Sequence, residues 1–192
     1  MTRPAPDAAR PGPTVRSALR LLRRHAGPAY LAAVGATLVN TVPDVVRQLL
    51  VYDDPRLSAA VVVDAVGLLT GLVAQLWVTG ALAGLPRDGR LRARGALGRG
   101  TALAWRAVRT APATVLAGVL LGGAVSALLT VPATVAALGV GGMIGPLDAP
   151  SAAAFTVATV SDVVASAVTL PFLALVLVLA GSSGRRAGTG EP

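Results

Sequence analysis

Two aspartates occupy the positions where this sequence could support chemistry. Asp64 is followed by 22 uncharged residues and then Arg87, and Asp162 is followed by 22 uncharged residues and then Arg185. An acid inside a membrane is a candidate for proton or ion coupling. A helix of 22 residues is about 33 Å long, close to the thickness of the hydrocarbon core of a bilayer. Both acids would then lie at the edge of that core.

Three interpretations of these acids stay open. As boundary residues, they would lie near the first turns of their helices, where the macrodipole favours an anion. The apolar run SAAAFTVATV before Asp162 would instead draw that acid deeper, which suits a coupling role. The third interpretation is an ion pair within the chain, for example with Arg47.

The sequence lacks the residues of the common catalytic and metal sites. It has no cysteine, a single histidine (His25) and a single glutamate (Glu191). Disulfides, thiolate metal sites and cysteine nucleophiles are therefore excluded. We expect no enzymatic activity, no metal and no cofactor.

Polar residues and glycines within the apolar stretches suit helix packing. Asn40, Thr70 and Gln75 are expected to form hydrogen bonds between helices, each worth roughly 1 kcal/mol. Spacings of the G-x-x-x-G type also permit close helix contact. They occur at Gly67/Gly71, Gly80/Gly84 and Gly118/Gly122.

Composition places the chain in the membrane class. Of its 192 residues, 54% are hydrophobic and the mean hydropathy is +0.69, which is too apolar for an ordinary soluble domain. All 17 basic residues are arginine. Together with the abundance of Ala, Val and Gly, this indicates the coding bias of a high-GC bacterial genome.

The pattern predicts an all-α, polytopic membrane protein with four transmembrane helices, at about 27–43, 58–85, 112–132 and 152–180. A cleaved signal peptide is the alternative for the first span, but no small-residue cleavage site follows it. We expect flexible tails at 1–13 and 182–192, and a basic loop at 86–111. The Gly-rich segment 133–147 would be a loop, a lid or a re-entrant segment.

Basic amphipathic helices are predicted beside two spans. From Thr14 onward, apolar residues recur at helical spacing while arginines occupy another face, which is typical of a helix lying on a membrane surface. A solvated basic flank is the alternative. A second such helix would place Trp105 and Val108 opposite Arg99 and Arg106. The arginines expected to contact anionic lipid headgroups are Arg16, Arg20, Arg23, Arg24, Arg99 and Arg106.

The distribution of arginine predicts the orientation. Six arginines precede the first span, seven lie in the central loop and two in the C-terminal tail, which leaves Arg47 and Arg56 for the other side. By the positive-inside rule, both termini and the central loop are cytoplasmic. Because Trp105 is the only aromatic residue near the central arginines, stacking on nucleic-acid bases is not expected.

The two halves of the chain share one order of features. ALRLLRRHAGPA (Ala18–Ala29) aligns without gaps on ALAWRAVRTAPA (Ala102–Ala113), and each leads into a span ending in Thr-Val-Pro. This predicts an internal duplication whose copies are related by an axis along the membrane normal. Chance similarity in an Ala-rich chain is the alternative.

A basic helix that runs into a span ending near a proline resembles a set of uncharacterised bacterial multi-span membrane proteins. The set includes the membrane domain associated with glycerophosphoryl diester phosphodiesterases. The resemblance covers much of residues 15–181 and implies membrane association. The phosphodiesterase catalytic residues would belong to a separate soluble domain, and nothing in this chain matches them.

These observations predict a non-enzymatic protein of the bacterial cytoplasmic membrane. It would be an accessory or membrane-organising component that acts through anionic lipids, a protein partner or a second copy of itself. One alternative is a small transporter or channel, with Asp64, Asp162 or the segment 139–145 lining its path. The other is a membrane anchor for a soluble enzyme.

Overall fold

A computed structural model describes residues 11–53, 57–140 and 151–183, and most of these residues are helical. The predicted tails therefore lie largely outside the described residues, as do residues 141–147 of the Gly-rich segment. Seven helices follow one another in this part of the chain: α1 (Pro11–Arg24), α2 (Ala26–Asp53), α3 (Leu57–Leu82), α4 (Leu85–Asp88), α5 (Ala96–Thr110), α6 (Pro112–Leu138) and α7 (Ala152–Ser183).

Three apolar stretches in the described chain are long enough to cross a membrane. They are Ala65–Asp88, which continues from α3 through a short break into α4, Pro112–Leu138 in α6, and Thr156–Ser183 in α7. The apolar part of α2 is shorter, at Ala26–Val42. The expected all-α membrane fold is confirmed at this level, whereas the fourth span stays a prediction.

Two prolines that were expected to end spans lie inside helices. The helix α2 continues past Pro43 to Asp53, and α6 continues past Pro132 to Leu138. Proline removes one backbone N–H from a helix, but membrane helices tolerate it where side chains and neighbouring helices satisfy the freed groups. Residues 44–53 therefore extend α2 and do not form a separate helix. Residues 133–138 are likewise part of α6.

A threonine precedes each of these prolines by two residues and bonds to its own helix. The Thr41 hydroxyl donates to the Thr37 carbonyl at 2.9 Å, and the Thr130 hydroxyl donates to the Ser126 carbonyl at 3.0 Å. Both bonds join residues four apart, the usual pattern for threonine inside a helix. The two Thr-Val-Pro segments thus adopt the same local structure.

The main core is a cluster of buried side chains from α1 and from the C-terminal parts of α3 and α7. Ala18 and Leu22 of α1 share it with Leu82 of α3 and with residues 174–176 of α7, and α1 itself packs against α7 and α6. Within the apolar face of this helix, Ala18 and Leu22 are covered by the bundle, whereas Leu19 is exposed. The arginines of α1 are exposed as well.

The helix α5 crosses α3 at two glycines, with backbone against backbone. A Cβ added at Gly80 would overlap the Ala96 carbonyl oxygen, and one added at Gly100 would overlap the Leu76 carbonyl oxygen. A similar approach joins Gly181 of α7 to Leu103 of α5. Only glycine, which has no Cβ, permits such close contact. These contacts show that the C-terminal part of the predicted basic loop is a helix packed into the bundle.

The predicted glycine pairs have different outcomes. Gly80 makes the α3–α5 contact, and an added Cβ at Gly118 of α6 would approach Val176 of α7 at 2.9 Å. Gly71 and Gly122 have no atom within 4 Å of such a Cβ. The spacing therefore marks a close helix approach at Gly80 and Gly118 but not at Gly71 or Gly122.

Candidate functional site

The packing gathers most of the described arginines at one end of the bundle. The helices α1 and α5 both pack against the C-terminal part of α7, and α5 also packs against the C-terminal part of α3. The arginines of α1 and those of the segment from α4 to α5 therefore lie near the same end. The opposite ends of α3 and α7 carry none of these residues.

A cavity of about 200 Å³ opens at this end, between α4, α5 and α7. We call it the arginine pocket. Its polar lining consists of Arg87, Arg92, Arg99, Arg106 and Ser182. Its apolar lining consists of Ala83, Pro86, Ala102, Leu103 and Val178.

Arg99 is fixed in the pocket wall by three backbone carbonyls. Its Nε donates to Gly80 at 3.4 Å, one terminal nitrogen donates to Arg94 at 2.5 Å, and the other donates to Arg92. These bonds join α5 to the end of α3 and to the connection between α4 and α5. The guanidinium therefore has a set position before any ligand arrives.

The other three arginines of the pocket differ in their partners. Arg92 donates to the Asp88 carboxylate at 2.5 Å, and this acid also accepts the backbone N–H of Arg90 at 3.2 Å. Neither Arg87 nor Arg106 has an ion pair or a side-chain hydrogen bond within the described residues. Four cations and one neighbouring anion give this region an excess of three positive charges.

A second cavity, of about 500 Å³, lies between α2 and α3 near the middle of their apolar stretches. We call it the apolar groove. Its lining residues are Gly35, Ala36, Val39, Asn40, Leu69, Thr70, Val73, Ala74 and Trp77. The Thr70 hydroxyl donates to the Gly67 carbonyl of its own helix at 3.1 Å, so the groove presents a mainly apolar surface.

Asp162, one of the two predicted acids, lines neither of these two cavities. Asp162 lies on an exposed side of α7, and the side chain of Asp64 lies outside the described part. No group of three or more His, Cys, Asp or Glu side chains in the described residues is placed to hold a metal ion.

The predicted lipid-contact arginines fall into two groups. The four on α1 are exposed: Arg16, Arg20, Arg23 and Arg24. Arg99 and Arg106 are half-buried and line the arginine pocket. On α5, the exposed side carries Trp105 and Val108, with the Arg109 guanidinium 4.4 Å from the centre of the Trp105 ring.

The expected interhelical hydrogen bond is confirmed for Gln75. Its Nε2 donates to the Leu170 carbonyl of α7 at 3.5 Å, beside Pro171. Its backbone carbonyl accepts the Thr79 hydroxyl at 2.7 Å. Gln75 therefore joins α3 to α7 in the interior of the bundle.

Sequence reasoning did not place Arg87 and Arg92 in a site. Both precede α5 in a segment without helical periodicity, so spacing could not bring them beside Arg99 and Arg106. The sequence marked Gly80 as a residue suited to close helix contact but did not identify Gly100 as its partner, and the approach of these two glycines folds the segment back over the end of α3.

No protein-family model matches this chain, and comparisons with curated proteins and with solved structures return no match.

Proposed function

We propose that this protein is a non-enzymatic component of the bacterial cytoplasmic membrane that acts through an anionic lipid or a protein partner. It would cross the membrane four times, with both termini in the cytoplasm. The observation that carries this proposal is the concentration of exposed arginines at one end of an apolar helix bundle. Such an end suits the cytoplasmic leaflet, whose anionic lipids attract basic residues.

The fourth span would be provided by α2. Its apolar stretch Ala26–Val42 is about 25 Å long at 1.5 Å per residue, slightly less than a typical hydrocarbon core. A short mismatch of this kind is accommodated by local thinning of the bilayer at modest cost. With four spans, α1 and the end of α7 lie on the same side, as their packing requires.

The order of the helices also supports an internal duplication. Each half contains an amphipathic helix, a long helix with Thr-Val-Pro, and a second long helix: α1–α2–α3 and α5–α6–α7. The first helix of each half packs against the last helix of the other half, so α1 contacts α7 and α5 contacts α3. Other contacts do not follow this exchange, because α5 also packs against α7 of its own half, whereas α1 makes no comparable contact with α3 in the described residues. The shared order of elements is therefore the main support for a duplication whose copies would be related by an axis along the membrane normal.

Single-cysteine labelling would test the orientation directly. The chain contains no cysteine, so each introduced thiol reports one position. We expect a membrane-impermeant maleimide to label Ser17→Cys on α1 and Thr101→Cys on α5 only when the cytoplasmic face is accessible. Ser151→Cys, just before α7, is the matched control and should show the opposite accessibility. Labelling of all three from the same side would refute the four-span arrangement.

Native mass spectrometry of the protein released from its own membrane would test the function. We expect a second polypeptide at fixed stoichiometry or retained anionic lipid. A retained soluble enzyme would identify the protein as an anchor, and a homo-oligomer carrying lipid alone would narrow the function to lipid organisation. Release of the bare chain, without lipid or partner, would contradict the proposal.

A small transporter is the second candidate, and the apolar groove is the observation that favours it. A cavity of about 500 Å³ beside Asn40, Thr70 and Trp77 is large enough for a small apolar solute. If the predicted acids couple transport to an ion, Asp64→Asn and Asp162→Asn should abolish flux into proteoliposomes while the protein still folds. Flux that is unchanged in both variants would exclude that role.

A further inference from the structure

We propose that the arginine pocket is a binding site for a doubly charged phosphate group, as found in a phosphomonoester. The proposal goes beyond general attraction to a membrane, because it assigns one cavity and a set of side chains to the ligand. It deepens the proposed function and rests on it only where the phosphate belongs to a lipid.

The charges of the pocket favour a dianion. Arg92 is neutralised by Asp88, which leaves Arg87, Arg99 and Arg106 as cations around the cavity. Arg87 and Arg106 have no protein partner for their guanidinium groups in the described part of the chain. Guanidinium groups present paired N–H donors that match the oxygen atoms of phosphate, so these two arginines are the primary ligands.

The shape of the pocket supports the same ligand. Its volume of about 200 Å³ equals roughly seven water molecules at ~30 Å³ each, which is sufficient for a phosphate group and its first substituent atoms. Its walls are held in place by the Gly80–Gly100 crossing and by the bonds of Arg99 to three carbonyls. A preformed cavity of this kind loses little entropy on binding.

The lining also narrows the class of ligand. It contains no aromatic ring on which a nucleobase could stack, so the phosphate group provides the recognition. The Ser182 hydroxyl donates to the Leu179 carbonyl at 3.0 Å and can still accept a hydrogen bond. No carboxylate lines this cavity, and the residues that do line it suit binding of the phosphate without hydrolysis.

Two sources could supply a phosphomonoester here. One is an anionic lipid such as phosphatidate, whose acyl chains would lie along the apolar wall formed by Ala83, Leu103 and Val178. The other is free phosphate or a soluble phosphomonoester from the cytoplasm. Both would place the same group between Arg87 and Arg106.

The test measures each source with the full-length protein. Inorganic phosphate is titrated calorimetrically into protein in a neutral detergent. In parallel, native mass spectrometry counts phosphatidate retained from nanodiscs of phosphatidylcholine that contain it. We expect Arg106→Gln to weaken binding of one or both probes by about tenfold, the loss expected for one charged hydrogen bond. The double variant Arg87→Gln/Arg106→Gln should abolish it.

Arg109→Gln is the matched control, because Arg109 lies on the same helix but outside the pocket, over Trp105. Binding of inorganic phosphate that depends on Arg106 would support a soluble source. Retention of phosphatidate alone, lost in Arg106→Gln but kept in Arg109→Gln, would support a lipid source. The proposal is overturned if neither probe binds, or if Arg106→Gln and Arg109→Gln weaken binding equally.

Thermal unfolding of each variant controls for folding. Because the guanidinium groups of Arg87 and Arg106 make no hydrogen bond in the described part of the chain, their variants should unfold at the wild-type temperature. Phosphate titration in detergent needs neither a partner nor a membrane. The titration can therefore detect phosphate binding even if mass spectrometry finds no partner or lipid in the native membrane. Failure of the phosphate site is thus distinguishable from failure of the proposed function.

Discussion

Substitution of Gly100 by alanine tests the packing on which the arginine pocket depends. An added Cβ at Gly100 would overlap the Leu76 carbonyl oxygen, lie 2.7 Å from the Leu76 carbonyl carbon and lie 3.0 Å from the Gly80 nitrogen. All three are backbone atoms of α3, so no side chain can rotate away. Carbon atoms in contact prefer about 3.5 Å, so α5 must move by at least about 0.8 Å (3.5 less 2.7).

The change in the free energy of unfolding follows from two opposing effects. Overpacking of a close contact costs about 1–3 kcal/mol, and a contact between two backbones falls at or above the upper end. Alanine is favoured over glycine in a helix by about 1 kcal/mol. We therefore expect Gly100→Ala to lower the free energy of unfolding by about 2 kcal/mol, as the difference between those two effects.

Gly98→Ala is the matched control on the same helix. Gly98 is exposed, and an added Cβ there has no atom within 4 Å. This variant should therefore gain up to about 1 kcal/mol from helix propensity alone. The two alanine variants should differ by about 3 kcal/mol, which is a factor of roughly 100 in the folding equilibrium constant.

Thermal and denaturant unfolding in detergent, followed by tryptophan fluorescence, would measure this difference. Trp77 lies on α3 and Trp105 on α5, so the signal comes from both helices that cross at Gly100. The reasoning is refuted if Gly100→Ala is as stable as Gly98→Ala. That result would mean that α3 and α5 do not meet backbone against backbone.

Two further substitutions test other parts of the structure. Leu82 is fully buried, so Leu82→Ala should destabilise the protein by about 2–5 kcal/mol. Leu68→Ala is the control; Leu68 is 75% exposed, so this variant should change the stability little. Equal unfolding temperatures for these variants would contradict the described core. Arg99→Gln removes three hydrogen bonds to backbone carbonyls, and we expect faster proteolysis between α4 and α5; a cleavage rate equal to that of Arg109→Gln would show that these bonds do not hold the segment.

The long helices could be predicted because their signal is local. A run of about 20 uncharged residues can satisfy its backbone inside a bilayer only as a helix, so α3, α6 and α7 follow from composition. The buried face of α1 could also be predicted, since Ala18 and Leu22 recur at helical spacing. Periodicity identified that face, although the helices that cover it are far away in the sequence.

The helix ends and the pocket could not be predicted because they depend on distant partners. Pro43 and Pro132 would end a helix in water, yet the helices continue beyond both. The contact of Gly80 with Gly100 joins two helices that a loop separates in the sequence. No local pattern at either glycine identifies the other as its partner. Arg87 and Arg106 line the same pocket only as a result of that crossing.

The packing of α1 against α7 sets an order of events during synthesis. Ala18 and Leu22 are among the first described residues to leave the ribosome, but residues 174–176, which bury them, are among the last. Until α7 is made, the apolar face of α1 lacks the helix that it packs against most closely. Its basic amphipathic character then allows it to wait at the membrane surface. The helices at the two ends of the chain, α1 and α7, therefore pack together only after α7 has entered the membrane.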